Sequence, residues 1–202
     1  MHMLWLDSQP DLSVLYVSFG SLASVTLPQL EELVAGILFS KHRFLWVFRP
    51  NHVKDAPSAT FPEDLLSKSH GRGYVTHWAP QLKVLSHPSI SAFLTHCGWN
   101  ATLEALSHGL PMLCLPLSAD QFLNAKLIIE EWKVGLGFAE SKESGLIGRE
   151  EIGRVIQILL ETKEGECLQN NANYSRDVCA RNCLPEGQAF KNIDSFFSVQ
   201  LG

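Results

Sequence analysis

The residues best able to do chemistry fall in one run of the sequence, Trp78 to Gln121. Trp78 opens it, followed by Ala79-Pro80, and the proline keeps the residue before it extended. An indole held at a strand end can stack on a planar base. Next comes the turn His96-Cys97-Gly98-Trp99-Asn100, between an apolar run and a helical pattern. The free N–H groups and dipole of a helix start favour an anion. Gly98 lets the backbone approach closely. His96 can donate to a phosphate oxygen, and Asn100 can cap the helix and donate through its amide. Glu104 follows Asn100 by four positions, on the same helix face, where its carboxylate can accept from both ribose hydroxyls. Asp120 and Gln121 close the run as a pair suited to sugar hydroxyls. Upstream, Ser21 ends the turn Ser18-Phe19-Gly20-Ser21, with an N–H and a hydroxyl for a second phosphate. Trp99 either packs beside the sugar or seals the turn. Base, diphosphate, ribose and hexose are each provided for, which is the inventory of a nucleotide sugar.

Taken singly, each residue has a plainer use. His96 reads as a buried histidine, Asn100 and Asp120 as helix caps, Ser21 as a turn serine and Glu104 as a solvated helix charge. Trp78 reads as a core tryptophan, a description that suits Trp5 and Trp46 better. The joint occurrence favours the ligand. Competing chemistries lack their residues. The glycine fingerprint GxGxxG is missing, which disfavours an NAD enzyme. There is no DxD triplet to hold a cation on a diphosphate, His77, His87, His96 and His108 lack zinc-ligand spacing, and there is no GxSxG elbow. No metal and no cofactor are expected; a helix start and His96 offset the diphosphate charge instead.

The elements that must position these groups follow from hydrophobic patterning. Val14 to Phe19, Phe44 to Phe48, Gly73 to Thr76, Ile90 to Leu94, Met112 to Leu115 and, weakly, Val134 to Gly137 read as strands. Pro28 to Phe39 has helical spacing, with Leu30, Leu33, Val34 and Ile37 on one face. Gln81 to Leu85, Asn100 to Ser107 and Asp120 to Glu131 read as further helices, Asn51 to Thr60 as a loop and Pro62 to Lys68 as a short helix. After Gly148 only helices are expected: Arg149 to Leu160, Glu164 to Arg181 and Gln188 to Val199. The fold class is α/β: a Rossmann-like parallel sheet with helices on both faces and a helical C-terminal tail. Such sheets bind ligands beyond the carboxyl ends of their strands, where Ser21, Trp78, His96 to Asn100 and Ser118 to Gln121 lie.

The 202 residues suffice for one domain with a sizeable core, expected over 1–202. A net charge of −5 argues against a general nucleic-acid surface. No run reaches the roughly 18 apolar residues of a membrane span, and Asp7, Gln9 and Asp11 interrupt any signal peptide. The five cysteines are odd in number and form no CxxC, which points to reduced thiols and a cytoplasmic setting.

The run Trp78 to Gln121 resembles the plant secondary-product glycosyltransferase signature of family 1 UDP-dependent enzymes: W-A-P-Q, H-C-G-W-N, E, G-L-P and D-Q at matching spacing. The flank Leu4 to Gln9 with Val14 to Ser21 is similar to the start of that family's C-terminal domain. The resemblance implies the C-terminal, donor-binding half of a GT-B fold. It implies that Trp78 stacks on uracil, the Ala79 backbone meets the base edge, and Gln81 and Glu104 take the ribose. Ser21, His96, Asn100 and position 101 would hold the diphosphate, and Trp99, Asp120 and Gln121 the hexose. The final Gln implies UDP-glucose. Position 101 departs from the pattern, with Ala101 where the family has Ser. The family's general base and acceptor pocket lie in an N-terminal domain with no counterpart here. No catalytic residue is therefore expected in this chain, which alone would bind the UDP-sugar donor without transferring it. A small-molecule acceptor would need the N-terminal domain. The alternative is a stand-alone nucleotide-sugar binding module or interaction partner without catalysis.

Overall fold

The apolar runs align as six parallel strands: β1 Val14–Ser18, β2 Arg43–Val47, β3 Gly73–Thr76, β4 Ile90–Thr95, β5 Met112–Cys114 and β6 Gly135–Gly137. The computed structural model describes residues 1–21, 24–49, 53–54, 61 and 66–200. The sheet order is β3-β2-β1-β4-β5-β6, with every neighbouring pair parallel. The chain winds one way from β1 through β2 to β3, then the other way from β4 outward. That reversal opens a crevice at the carboxyl ends of β1 and β4.

β1, β4 and β5 are buried along their whole length, so helices must cover both faces of the sheet. Alternate residues divide between two apolar layers. Leu15, Val17, Phe44, Trp46, Ala92, Leu94 and Leu113 join one layer, with α2 (Leu27–Ser40) and α6 (Arg149–Glu161). Val14, Tyr16, Leu45, Val47, Phe93, Met112 and Cys114 join the other. This second layer is covered by α1 (His2–Asp7), α3 (Gln81–Leu85), α4 (Trp99–His108) and α5 (Gln121–Lys126). α7 (Lys163–Asn182) bridges the two layers, with Leu168 in the first and Ala172 in the second, and bonds the Gly109 and Lys133 carbonyls ahead of β5 and β6.

Local chemistry sets the ends of these helices. Thr26 caps α2, accepting from the Gln29 N–H at 3.3 Å, and Pro28 occupies the first turn. α4 ends at Gly109, whose φ of 69° is a left-handed cap. The Gly148 cap of α6 makes no side-chain bond, and α2 fills that role: Glu32 accepts from the Arg149 backbone N–H at 2.7 Å and pairs with its guanidinium. The pair holds the Glu32 carboxyl below the ordinary glutamate range.

Some elements differ from the pattern reading. α1 has no counterpart in it; the helix is anchored by fully buried Leu6 and by Trp5, 5.6 Å from Tyr74. The helix expected over Asp120 to Glu131 is α only through Lys126, then widens into a π turn, Leu127–Glu131. There Trp132 N–H reaches the Leu127 carbonyl at 2.8 Å and Val134 N–H the Ile128 carbonyl at 2.9 Å, bending the chain into β6. Most of the expected loop Asn51 to Thr60 and of the expected helix Pro62 to Lys68 lies outside the described residues, although Val53 pairs in parallel with Val25. The last helix, α8 (Gln188–Gln200), leaves Phe190, Ile193, Phe196 and Phe197 exposed. No helix among the described residues is long and apolar enough to cross a membrane.

Candidate functional site

Beyond the carboxyl ends of β1 and β2 lies a cleft of about 340 Å³. It gathers five of the residues singled out by sequence: Ser21, Trp78, Ala79, Gln81 and Glu104. Trp78 is 60% exposed, whereas Trp46 is fully buried, so the two indoles have different jobs. The Trp78 carbonyl accepts from the Thr76 hydroxyl at 3.1 Å, and His77 Nδ1 lies 3.0 Å from the Phe48 carbonyl, tying the strand end to β2.

Facing the indole is a chain of three side chains. The Tyr16 hydroxyl donates to Gln81 Oε1 at 3.2 Å, and Gln81 Nε2 donates to Glu104 Oε2 at 2.6 Å. The tyrosine bond selects the amide orientation that aims the Gln81 nitrogen at the carboxylate. Burial pushes the Tyr16 hydroxyl up to about 12, so it remains a neutral donor. Glu104 thus enters the cleft with one oxygen engaged and the other available to hydroxyls.

The turn His96 to Asn100 lies beside this cleft, with His96 against Gly20 of its lining. Cys97 has a φ of 63°, Gly98 is the N-cap of α4, and the first intrahelical bond is Thr102 N–H to the Gly98 carbonyl at 2.9 Å. The amides of Trp99, Asn100 and Ala101 therefore precede the helical ladder, the position from which N–H groups bind anions. Asn100 is inside the helix and exposed, which corrects its reading as a cap: the left-handed Cys97 turns the chain early enough for Gly98 to occupy the cap. His96 is wedged between two glycines. A Cβ at Gly98 would lie 2.4 Å from its Nε2, and one at Gly20 would lie 2.8 Å from its Cε1. Gly20 also has a φ of 72°, so the turn bearing Ser21 and the turn bearing His96 meet only because both lack side chains there. Beneath the turn, the buried thiols of Cys97 and Cys114 interact; that hydrogen bond, with burial, pushes the Cys114 thiol well up.

Asp120 and Gln121 lie past β5. Asp120 is exposed and stands at the N-cap of α5 without a side-chain cap bond; instead its Oδ2 accepts from Asn124 Nδ2 at 2.8 Å. Gln121 is only 9% exposed, and its Oε1 accepts from the N–H groups of Leu117 and Ser118 at 2.8 and 3.0 Å. Its carboxamide therefore holds the loop that leads to Asp120. Trp99, 45% exposed, packs 6.3 Å from Trp132 while keeping a free face. Ala101 is 7% exposed, in the apolar layer under α4.

Three residues of the site escaped the sequence reading: Tyr16, Arg49, which places a cation at the cleft, and Asn124. Tyr16 sits in a strand pattern, and Arg49 lies two residues past β2, so only the placement of strand ends could have marked them. Among the described residues no group of three or more His, Cys, Asp or Glu could hold a metal.

A doubly wound parallel sheet with an aromatic, a carboxylate and an open helix start at its switch point defines a nucleotide-binding domain of the GT-B glycosyltransferase kind. Residues 3–146 match the family model described as UDP-glucoronosyl and UDP-glucosyl transferase, and the chain belongs to that family. It is 42% identical over 199 residues to UDP glycosyltransferase 9 of Catharanthus roseus, an alignment spanning 98% of this chain and 41% of the relative. It is 43% identical over 192 residues to the 7-deoxyloganetic acid glucosyltransferase of the same plant, spanning 94% and 38%. Among solved structures, Phytolacca americana UGT2 complexed with UDP-2fluoro-glucose and pterostilbene superposes with a TM-score of 0.89 at 38% identity, covering 98% of this chain and 43% of that one. Os79 from O. sativa in complex with UDP gives a TM-score of 0.88 at 35% identity, covering 97% and 42%. The chain thus spans about two fifths of the length of the relatives it matches.

Proposed function

We propose that this chain is the donor-binding domain of a UDP-dependent glucosyltransferase acting on small molecules. One observation carries the reading: an exposed indole, a polar chain ending in Glu104 and an open helix start follow one another along the carboxyl edge of the sheet. The similar UGT2 structure carries UDP-2fluoro-glucose. On this reading uracil stacks on Trp78 and pairs with the Ala79 backbone, while the ribose hydroxyls reach Glu104 and Gln81. The diphosphate lies between Ser21, His96, Asn100 and the amides after Gly98, Ala101 N–H included. Trp99, Asp120 and Gln121 take the glucose, Gln121 through the second hydrogen of its Nε2, whose first goes to Ser118 Oγ at 3.4 Å. The charge of the diphosphate is met by hydrogen-bond donors and the helix dipole, without a metal.

The chemistry is displacement with inversion. An acceptor hydroxyl attacks the anomeric carbon, its oxygen forms the new bond, and the bond to the diphosphate oxygen breaks as UDP leaves. The hydroxyl proton needs a base within hydrogen-bond reach, and with His96 and Glu104 given to the donor, the described residues of the cleft leave none. The base, the acceptor pocket and the surface that meets the apolar face of α8 belong to an N-terminal domain. The 202-residue chain alone binds donor and transfers nothing, and the parent enzyme works in the cytoplasm.

Calorimetric titration with UDP tests the reading. Base-on-aromatic stacking is worth about 1–3 kcal/mol, so Trp78→Ala weakens UDP by at least about fivefold. A folded, unmodified chain that binds neither UDP nor UDP-glucose would refute the assignment.

A further inference from the structure

Asn124 lies one turn into α5, 5% exposed, and its side-chain nitrogen serves two acceptors. Nδ2 donates to the Cys97 carbonyl at 3.0 Å and to Asp120 Oδ2 at 2.8 Å. A carboxamide nitrogen carries two hydrogens, so both bonds form together and exhaust its donors. The two acceptors come from separate segments, the turn after β4 and the loop after β5. No backbone hydrogen bond joins these segments beyond Leu115, whose N–H reaches the Thr95 carbonyl at 2.9 Å, among those the described residues make.

Both acceptors sit where the backbone is unusual. Cys97 has a φ of 63° and Ala119, next to Asp120, a φ of 54°. Non-glycine residues persist in that region only where their surroundings fix them. Thr95 Oγ1 holds Cys97 from one side, accepting from its N–H at 3.2 Å, and Asn124 holds its carbonyl from the other. Gln121 pins the loop at Leu117 and Ser118 with its oxygen, while Asn124 pins the end of that loop with its nitrogen.

We propose that Asn124 is a positioning residue that fixes the glucose-facing carboxylate of Asp120 relative to the diphosphate-binding turn, so that the site responds to the sugar as well as to the nucleotide. The proposal rests on the donor-binding reading. Asn124 touches no ligand; it acts by aiming Asp120 and holding the carbonyl that precedes Gly98. An alanine at 124 frees both, and the freed carboxylate swings into solvent, where Asp120 already stands exposed.

The test is calorimetric titration of UDP and of UDP-glucose into the 202-residue chain, comparing the ratio of the two affinities between variants. In Asn124→Ala the ratio shifts against UDP-glucose by about 10- to 150-fold, the loss of one oriented charge-assisted bond. Asn124→Asp separates positioning from packing, because it keeps the shape and puts a second carboxylate against Asp120. Two carboxylates sharing a site raise one pKa, so acidification restores one of the two hydrogens, which the introduced carboxyl group can donate to Asp120. Normalised to the unmodified chain at the same pH, the Asp variant discriminates poorly at about pH 8 and recovers at about pH 5. The Ala variant shows no such recovery. An unchanged ratio in Asn124→Ala, or an Asp variant whose ratio ignores pH, overturns the proposal while leaving UDP binding intact. Absence of UDP binding by the unmodified chain instead removes the donor-binding reading, and the proposal with it. Should the Ala variant fail to fold, the pH response of the Asp variant decides alone.

Discussion

Replacing Glu104 by Gln gives a test in which the sign of the effect separates two explanations. If Glu104 is a mere charge near the cleft, removing it lowers the repulsion felt by a diphosphate. At a ribose-to-phosphate separation of about 8 Å that is worth roughly 0.5 kcal/mol per charge in water, so UDP binds more tightly to the variant. If Glu104 accepts ribose hydroxyls, the variant exchanges charge-assisted hydrogen bonds, about 1.5–3 kcal/mol, for neutral ones of about 1 kcal/mol. UDP then binds about 2- to 30-fold more weakly. The structure favours the second outcome, because Gln81 Nε2 engages Oε2 at 2.6 Å and turns the carboxylate into the cleft. The assay is calorimetry with UDP and 2′-deoxy-UDP against both proteins. The unmodified chain should lose affinity on removal of the hydroxyl, and the variant should lose distinctly less. Tighter UDP binding by Glu104→Gln, or an equal deoxy penalty in both proteins, refutes the ribose contact.

Further outcomes follow from other parts of the structure. Ala101→Ser adds a hydroxyl at the third residue of α4 and should tighten UDP by up to about fivefold, one neutral donor's worth; equal affinities would show that position 101 contributes only its backbone N–H. Gly98→Ala forces a Cβ to 2.4 Å from His96 Nε2, so the imidazole must move and UDP affinity should fall by about tenfold or more, an overpacking cost of about 1–3 kcal/mol; unchanged binding would contradict the packing of this turn. The Glu32–Arg149 pair lowers the glutamate's pKa in the folded state, so its contribution is present above the unfolded pKa and lost as pH falls through the folded one. With Arg149 half exposed, that contribution is about 0.5–1 kcal/mol. Thermal melts of Glu32→Gln should therefore lie below those of the unmodified chain at neutral pH and converge with them in acid.

The sheet was legible because its strands are continuous apolar runs separated by helical periodicity, and burial on both faces leaves no other arrangement for Val14 to Ser18 or Ile90 to Thr95. α1 was not legible: six residues are too few for a helical period, and what holds it is contact between Leu6, Trp5 and groups distant in sequence. The π turn at Leu127 is set by where β6 must start, which no local residue announces. In the site, single motif residues were readable and their partners were not. Trp78, Gln81 and Glu104 stand together in one cleft as their chemistry implied. The tyrosine that orients Gln81 comes from a strand 65 positions away. The asparagine that bridges Cys97 and Asp120 is an ordinary polar residue in a helix until the turn is folded against it. Gln121 shows the same limit in reverse, since its burial and its hold on Leu117 and Ser118 appear only when the loop closes.

The contrast between wet and dry indoles gives the protein an optical gauge of its own occupancy. Trp46 is sealed among Phe19 and Phe61, whereas Trp78 and Trp99 are exposed to water, Trp78 at the cleft beyond β1 and β2 and Trp99 at the start of α4. A dissolved collisional quencher reaches Trp78 and Trp99 most readily, the half-buried Trp5 and Trp132 less, and Trp46 least. A ligand lying along the crevice would shield one end or both, so fluorescence alone could follow which portion of a bound molecule has arrived.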